Sequence, residues 1–363
     1  MDWNVKSNVM KERGISNWCL FGLCAAVAIM LASCDREKPS GAKAPPPRIV
    51  IGYQTAWATA GQLMETLVHT SIPKLYGSSA TFRTFLFGPD MNEAAVGGNI
   101  DGTTTGVVPT VNLMAVSDDW VGVCRLIDFP CTMVARTGTG ITNFAGLKGR
   151  KVGVPFGSGA HPYIVQRLRE NNLPIGTGPD SVDLVNVSPA ESATALQQGS
   201  VDAIATWEPN ATIVERKGFG KPFDDKRYIG LLTVRKSLVE QHPDEVVALI
   251  KSMMEANFYV AQHREQTDEW FAKRSNFDRE LLKKIRVIEP NLKATRIEEV
   301  SVQITTEDMK LCQEVADQMF ASGLIKRQVK IADHVNVALE RRASEELLKA
   351  GAKAASVLVS ETK

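Results

Sequence analysis

Leu147-Lys148-Gly149-Arg150-Lys151-Val152-Gly153-Val154-Pro155-Phe156-Gly157-Ser158-Gly159-Ala160-His161-Pro162 is the stretch that decides the fold. It opens on a basic turn and passes into a short apolar run at 152–154. It then turns on Pro155, Gly157 and Gly159 and enters an amphipathic helical pattern over 161–171. A buried strand followed at once by a Gly-rich turn and a helix is the repeating unit of a mostly parallel sheet covered by helices. The unit recurs downstream, with strand patterns at 182–187 and 203–206 and helical patterns at 190–198 and 209–216.

The same alternation runs upstream. Strands are expected at 48–53, 80–86, near 100, at 121–126 and at 132–135, and helices at 61–75, 92–98 and 107–116. Past 228 the pattern turns helical, at 242–263, 264–274, 279–287 and 307–323. The alternation therefore begins, restarts, and gives way to helices. This predicts an α/β fold of two lobes with C-terminal helices. Residues 48–137 and 230–332 form a discontinuous first lobe, 138–229 a second, and 333–363 a loosely attached helical tail rich in Ala, Glu and Lys. The chain crosses between lobes near 135–141 and again near 227–233. Two adjacent crossing strands make a hinge, and hinge closure around a ligand is a known switching mode.

The chain has 363 residues, 44% hydrophobic and 23% charged, with a net charge of +1. That near-neutral balance gives no bulk electrostatic case for nucleic acid, so any preference for anions must come from a local site. Lys6, Lys11 and Arg13 precede an uncharged stretch at 14–33, the layout of a secretory signal. The stretch ends in Leu31-Ala32-Ser33-Cys34, which resembles the bacterial lipobox and implies a signal peptide over 1–33 and a lipid on Cys34. An uncleaved membrane anchor is the alternative. Either way the body lies outside the cytoplasm. Residues 34–47 are polar and Pro-rich and read as a tether. Of six cysteines, Cys19 and Cys24 leave with the signal, Cys124 and Cys131 flank a short segment and could pair in an oxidising compartment, and Cys312 reads as core. No cysteine pair has metal spacing and the five histidines do not cluster, so neither metal nor cofactor is expected.

In open α/β sheets ligands collect beyond the carboxyl ends of the strands, which singles out four loops. Gly52-Tyr53-Gln54 offers the donor and acceptor of Gln54, with Trp57 as an apolar wall. Residues 102–109 place hydroxyls, including that of Thr105, and the Gly106 backbone at a helix start. The third loop carries Ser158 and His161, and the fourth Trp207 and Glu208. Helix N-termini concentrate N–H donors and positive potential, so they bind small anions without a cationic patch. Each residue also has an ordinary reading. Ser158 can be a helix N-cap, His161 a solvated first-turn residue, Trp207 packing between lobes, and Glu208 an acid favoured in a first helical turn.

Taken in order, several segments resemble the periplasmic substrate-binding components of ABC importers for aliphatic sulfonates, taurine and nitrate, from 48 to about 333. They include Arg48-Ile49-Val50-Ile51-Gly52-Tyr53-Gln54, Gly88-Pro89-Asp90-Met91-Asn92-Glu93-Ala94, Gly98-Asn99-Ile100-Asp101-Gly102, Gly106-Val107-Val108-Pro109, Gly157-Ser158-Gly159-Ala160-His161, Gly199-Ser200-Val201-Asp202-Ala203 and Trp207-Glu208-Pro209. The resemblance implies a type II periplasmic binding protein fold and an importer component that binds a small anionic solute. The partners would be an ABC permease and its ATPase, with the protein a lipid-anchored monomer that touches no nucleic acid. The family's ligand loops align with Gln54, Thr105-Gly106, Ser158 and Trp207. Val107 stands where the family often has an acid, and Glu208 replaces the aspartate of its Trp-Asp-Pro pattern. Desulfinases and pyrimidine-synthesis enzymes share this fold, so an enzyme is the first rival reading, and a ligand-sensing lobe the second.

Overall fold

The computed structural model describes residues 48–353 and 356–360, and the expected signal segment, tether and Cys34 lie outside them. The strands are β1 (Val50–Gln54), β2 (Thr81–Phe85), β3 (Gly102–Gly106), β4 (Trp120–Arg136), β5 (Lys151–Val154), β6 (Asp183–Asn186), β7 (Ala203–Thr206) and β8 (Gly220–Arg235). They form one sheet in the order β2-β1-β3-β8-β4-β7-β5-β6. The helices of the first part are α1 (Ala60–His69), α2 (Ile72–Leu75), α3 (Gly88–Val96), α4 (Val107–Val116), α5 (Ala160–Glu170), α6 (Ser192–Gln198) and α7 (Asn210–Arg216). After β8 come α8 (Lys236–Gln241), α9 (Pro243–Gln262), α10 (Arg264–Ser275), α11 (Arg279–Leu282), α12 (Thr306–Ala321) and α13 (Val337–Ala350).

Two long strands organise everything else. β4 and β8 pair antiparallel from Trp120 opposite Arg235 to Arg136 opposite Gly220. On one side β8 takes β3, which leads to β1 and β2; on the other β4 takes β7, which leads to β5 and β6. Within each flanking triplet the strands are parallel. The register aims both triplets at the same place. β3 runs from Gly102 opposite Val234 to Gly106 opposite Gly230, and β7 runs from Ala203 opposite Ala135 to Thr206 opposite Thr132. Both therefore point their carboxyl ends toward the middle of the long pair, where the ladder shifts register between Arg125 and Asp128.

Several expectations change in detail. The segments 121–126 and 132–135 are one 17-residue strand, because the ladder continues through Phe129 opposite Tyr228 and Cys131 opposite Lys226. The chain past 228 stays extended to Arg235, and helix begins at Lys236. Most of 102–106 is strand, not loop: Thr104 donates from Oγ1 to the Gly52 carbonyl at 2.9 Å. A Cβ on Gly102 would stand 2.7 Å from Ile51 Cδ1, which explains the glycine in so crowded a strand. The expected helix over 279–287 covers only Arg279–Leu282. Cys124 and Cys131 are free, buried and seven residues apart on one strand. A strand rise of about 3.3 Å per residue separates their Cα atoms by roughly 20 Å, far beyond disulfide reach. Cys312 is buried in the core, as its helical face implied.

The tail is not loosely attached. α13 buries Leu339, Ala343 and Leu347 along one face, and Asn336 caps it by accepting from the Ala338 and Leu339 N–H groups. Lys251 on α9 pairs with Glu346 at 2.8 Å. Past the helix, the Leu358 carbonyl accepts from the Ser71 N–H at 2.8 Å, which brings the chain end back to the α1–α2 turn. Neighbouring leucines on α13 should therefore behave differently. Leu347 is fully buried and Leu348 is 46% exposed. Leu347→Ala should cost about 2–5 kcal/mol in urea unfolding, whereas Leu348→Ala should stay within about 0.5 kcal/mol of the parent. Equal effects would mean that the tail does not pack this way.

Candidate functional site

At the meeting point of the strand ends lies a cavity of about 20 Å³. Gln54 ends β1, Thr105 and Gly106 end β3, Ser158 and Gly159 lie in the turn after β5, and Trp207 follows β7. Trp57, from the connection into α1, and Phe129, from the middle of β4, complete the aromatic wall. Gly88 and Pro109 close the remaining side. Of the eight residues selected from sequence, Gln54, Trp57, Thr105, Gly106, Ser158 and Trp207 line this one space; His161 and Glu208 do not.

Adjacent parallel strands set the first pair. The β1–β3 register places Gln54 in line with Thr105, and Gln54 Nε2 donates to Thr105 Oγ1 at 3.0 Å. Ser158 does not cap its helix. Its Oγ donates to the Pro155 carbonyl at 2.6 Å and locks the turn instead. Trp207 Nε1 donates to the Ala56 carbonyl at 2.9 Å, and the Ala58 N–H donates to the Glu208 carbonyl at 3.2 Å. These two bonds fasten the loop after β7 to the loop after β1, so Trp207 acts as a latch between strand ends.

Three helices start at the cavity. α3 has Gly88 as its first residue, α4 is preceded by Gly106 and α5 by Gly159, and none of the three has a side-chain cap. Side chains cap α12 and α13, through Thr305 and Asn336, but α2 and α6 to α10 also lack such a cap, so it is the convergence of the three helix starts that sets them apart. The glycines are sterically enforced. A Cβ on Gly88 would collide with the Pro109 ring, and one on Gly106 would stand 3.2 Å from Phe129 Cζ. None of the residues lining the cavity is charged. It is a neutral space walled by aromatic rings and faced by helix N-termini. These bring partial positive charge and a reduced set of N–H donors, since Pro89, Pro109 and Pro162 have none and the His161 N–H donates to the Ser158 carbonyl at 3.2 Å. Arg83 on β2 and Arg136 at the end of β4 lie elsewhere, the latter paired with Asp202 at 3.1 Å.

His161 stacks on Phe156 with ring centroids 4.4 Å apart, and burial lowers its pKa, so the imidazole is neutral near pH 7. Glu208 faces away from the cavity. It does not lie in the first turn of α7 as expected but before its N-cap Pro209; its Oε2 accepts from the Thr212 N–H at 3.1 Å, and Arg286 Nε lies 3.6 Å from Oε1. Burial still raises its pKa above the usual carboxylate range, against the Thr212 bonds and the Arg286 charge. Sequence reasoning did not select Gly88, Pro109, Phe129 or Gly159, although Pro109 and Gly159 lie in the loops it singled out. Phe129 sits between Asp128 and Pro130, residues that read as a break between strands; recognising one continuous strand would have pointed it inward.

The model of the NMT1-like family matches residues 42–274 of the chain. A relative in Bacillus subtilis (strain 168), named for binding aliphatic sulfonates, is 26% identical over 328 residues, 88% of this chain and 95% of the relative. The taurine-binding periplasmic protein of Escherichia coli (strain K12) is 24% identical over 243 residues, 64% and 71% of the two chains. Among solved structures, the alkanesulfonate-binding protein of Xanthomonas axonopodis pv. citri bound to MOPS superposes with a TM-score of 0.65 at 20% identity, covering 81% of this chain and 99% of that one. A desulfurization enzyme superposes at 0.57 with 16% identity, covering 82% and 99%. The fold is thus that of these binding proteins, shared with an enzyme.

The raised pKa of Glu208 has a sign that can be checked. The folded protein keeps this proton to higher pH than the unfolded chain does, so its contribution to stability is full below the ordinary carboxylate range and is lost as pH rises through the folded value. Glu208→Gln should flatten the fall in unfolding free energy between mildly acidic and neutral pH, measured by urea titration at successive pH values. An unchanged slope would assign the pH dependence to another group.

Proposed function

The chain belongs to the NMT1-like family, and we propose that it is the extracytoplasmic solute-binding component of an ABC importer for a small organic anion, aliphatic sulfonate-like or taurine-like, with nitrate within the same chemistry. The observation that carries this reading is the convergence of three helix N-termini without side-chain caps on one neutral cavity. An anion leaving water must have its hydration replaced by donors, and N–H groups at helix starts do so without burying a counter-charge. The relatives named for sulfonates and taurine lend the solute class. Gln54, Thr105, Gly106, Ser158 and Trp207 would contact the solute, with Trp57 packing on its apolar part. Binding would take place between two lobes closing about the middle of β4 and β8, with the first boundary moved from 137 to near 128 because Thr132–Ala135 pair with β7 of the second triplet. Trp207 and the Ala56 carbonyl would latch the closed form.

We read the protein as non-catalytic. The Ser158 hydroxyl is engaged with a carbonyl, and His161 is stacked on Phe156 and does not line the cavity, so these two do not form a nucleophile–base pair. We also assign the lipid anchor to Cys34, after the small residues Ala32 and Ser33, which places a monomeric body at the outer face of the membrane beside its permease and ATPase.

Purified protein titrated with ethanesulfonate, taurine and nitrate should gain about 2.7 kcal/mol of stability at roughly 100 times the dissociation constant of the right class. Gln54→Ala should weaken that binding about tenfold, the scale of one good hydrogen bond, with the ligand recovered chemically unchanged. If no small anion shifts the melting point, or if turnover is detected, the reading fails.

A further inference from the structure

We infer that Phe129 sets the upper limit on the length of the solute that the cleft admits. This deepens the solute-binding role proposed above and rests on it. Phe129 occupies the place to which both parallel triplets point, opposite Tyr228 in the β4–β8 ladder. Its ring tip reaches both sides of the cavity. A Cβ on Gly106, at the end of β3, would stand 3.2 Å from Phe129 Cζ; a Cβ on Gly159, before α5, would stand 3.8 Å from the same atom. The ring therefore bridges the two helix starts proposed to hold the anionic head, and glycine at both positions leaves it room to do so.

The ring has little space to retreat. Trp57 packs against it edge to face, with centroids 4.7 Å apart and planes at 69°. Trp57 is itself backed by the chain: a Cβ on Gly230 would stand 2.6 Å from Trp57 Cη2 and 3.3 Å from Leu126 Cβ. Behind Phe129 lies Tyr228, with centroids 6.3 Å apart. What remains is about 20 Å³, against about 150 Å³ in an apolar cavity that holds benzene. The remaining space has room for about one water, so a head group enters only as the strand ends part. A longer chain needs the volume that the Phe129 ring fills. Because no lining side chain is charged, discrimination between solutes bearing the same head group falls to this steric limit.

The test is a calorimetric titration of the linear sulfonates from methane- to octanesulfonate into the parent protein, Phe129→Ala and Phe129→Leu. The parent should bind the shortest members and lose about tenfold or more in affinity for each methylene beyond the limit. Phe129→Ala should move the optimum to longer chains, and Phe129→Leu should lie between. Circular dichroism melting identifies a variant that does not fold; should Phe129→Ala fail there, the milder Phe129→Leu decides. If the parent binds hexanesulfonate as tightly as ethanesulfonate, or if a folded variant keeps the parent's length profile, the inference is overturned while the binding function stands. If the parent binds no sulfonate of any length, the proposed sulfonate-binding function falls and takes the inference with it.

Discussion

The antiparallel pairing of β4 with β8 is the constraint on which the rest of the structure depends. Parallel triplets cannot face each other across a gap unless something reverses one relative to the other. Here each triplet attaches to a different partner of the long pair, antiparallel to it, so that Gly106 meets Gly230 and Thr206 meets Thr132. Both sets of strand ends arrive at the centre by hydrogen-bond register alone. No linker has to be the right length, and no contact between triplets has to form first.

That ladder shifts register at three places, one of them at its centre between Arg125 and Asp128. The charges gathered there compensate. Glu289 takes Arg125 Nη1 at 2.6 Å and the Asp128 N–H at 2.6 Å, and Arg227 bridges Asp128 and Asp308, at 2.9 and 2.8 Å. A buried ion pair is poor evidence of net stability, because desolvation offsets most of the attraction. Its geometric effect is clearer. Glu289 and Asp308 come from segments after β8, so the network fixes the broken part of the ladder to the helical layer while leaving the two ends of each long strand to their own triplets.

How much of this could be read from sequence follows from which signals were local. The β-α alternation was legible because short strands run through turn residues such as Gly88, Gly106, Gly157 and Pro209 into helices, and the rule that ligands gather at strand ends brought six of eight chosen residues to one cavity. The long strands were not. Asp128 and Pro130 broke the first into two apparent pieces, and the run Asp224-Asp225-Lys226-Arg227 hid the second, because it is half-exposed and reads as loop. Two adjacent crossing strands were expected near 135–141 and 227–233, but the extent of their pairing, from Trp120 to Arg136, is a non-local fact that neither segment announces. Ser158 and Glu208 were legible as residues of interest but not in their roles. A hydroxyl before a helix can donate backward as easily as accept forward, and the direction is set by where the Pro155 carbonyl happens to lie.

The glycines at the cavity link the fold to its chemistry. Each helix start there could have carried Ser, Thr or Asp, which would satisfy the first N–H groups and stabilise the helix by about 0.5–2 kcal/mol relative to a residue that cannot cap. Glycine at Gly106 and Gly159 forgoes that bond; a Cβ on Gly106 would also press on the Phe129 ring at 3.2 Å, whereas one on Gly159 would meet Cys131 Sγ first, at 3.3 Å. One choice thus has two consequences: the donors stay available to whatever enters, and the ring that restricts entry keeps its place. A capping residue at Gly106 would satisfy a donor internally and press on the ring together, so charge recognition and size restriction are coupled at that position. A wider solute range is reached more directly through the ring itself than through the glycines around it.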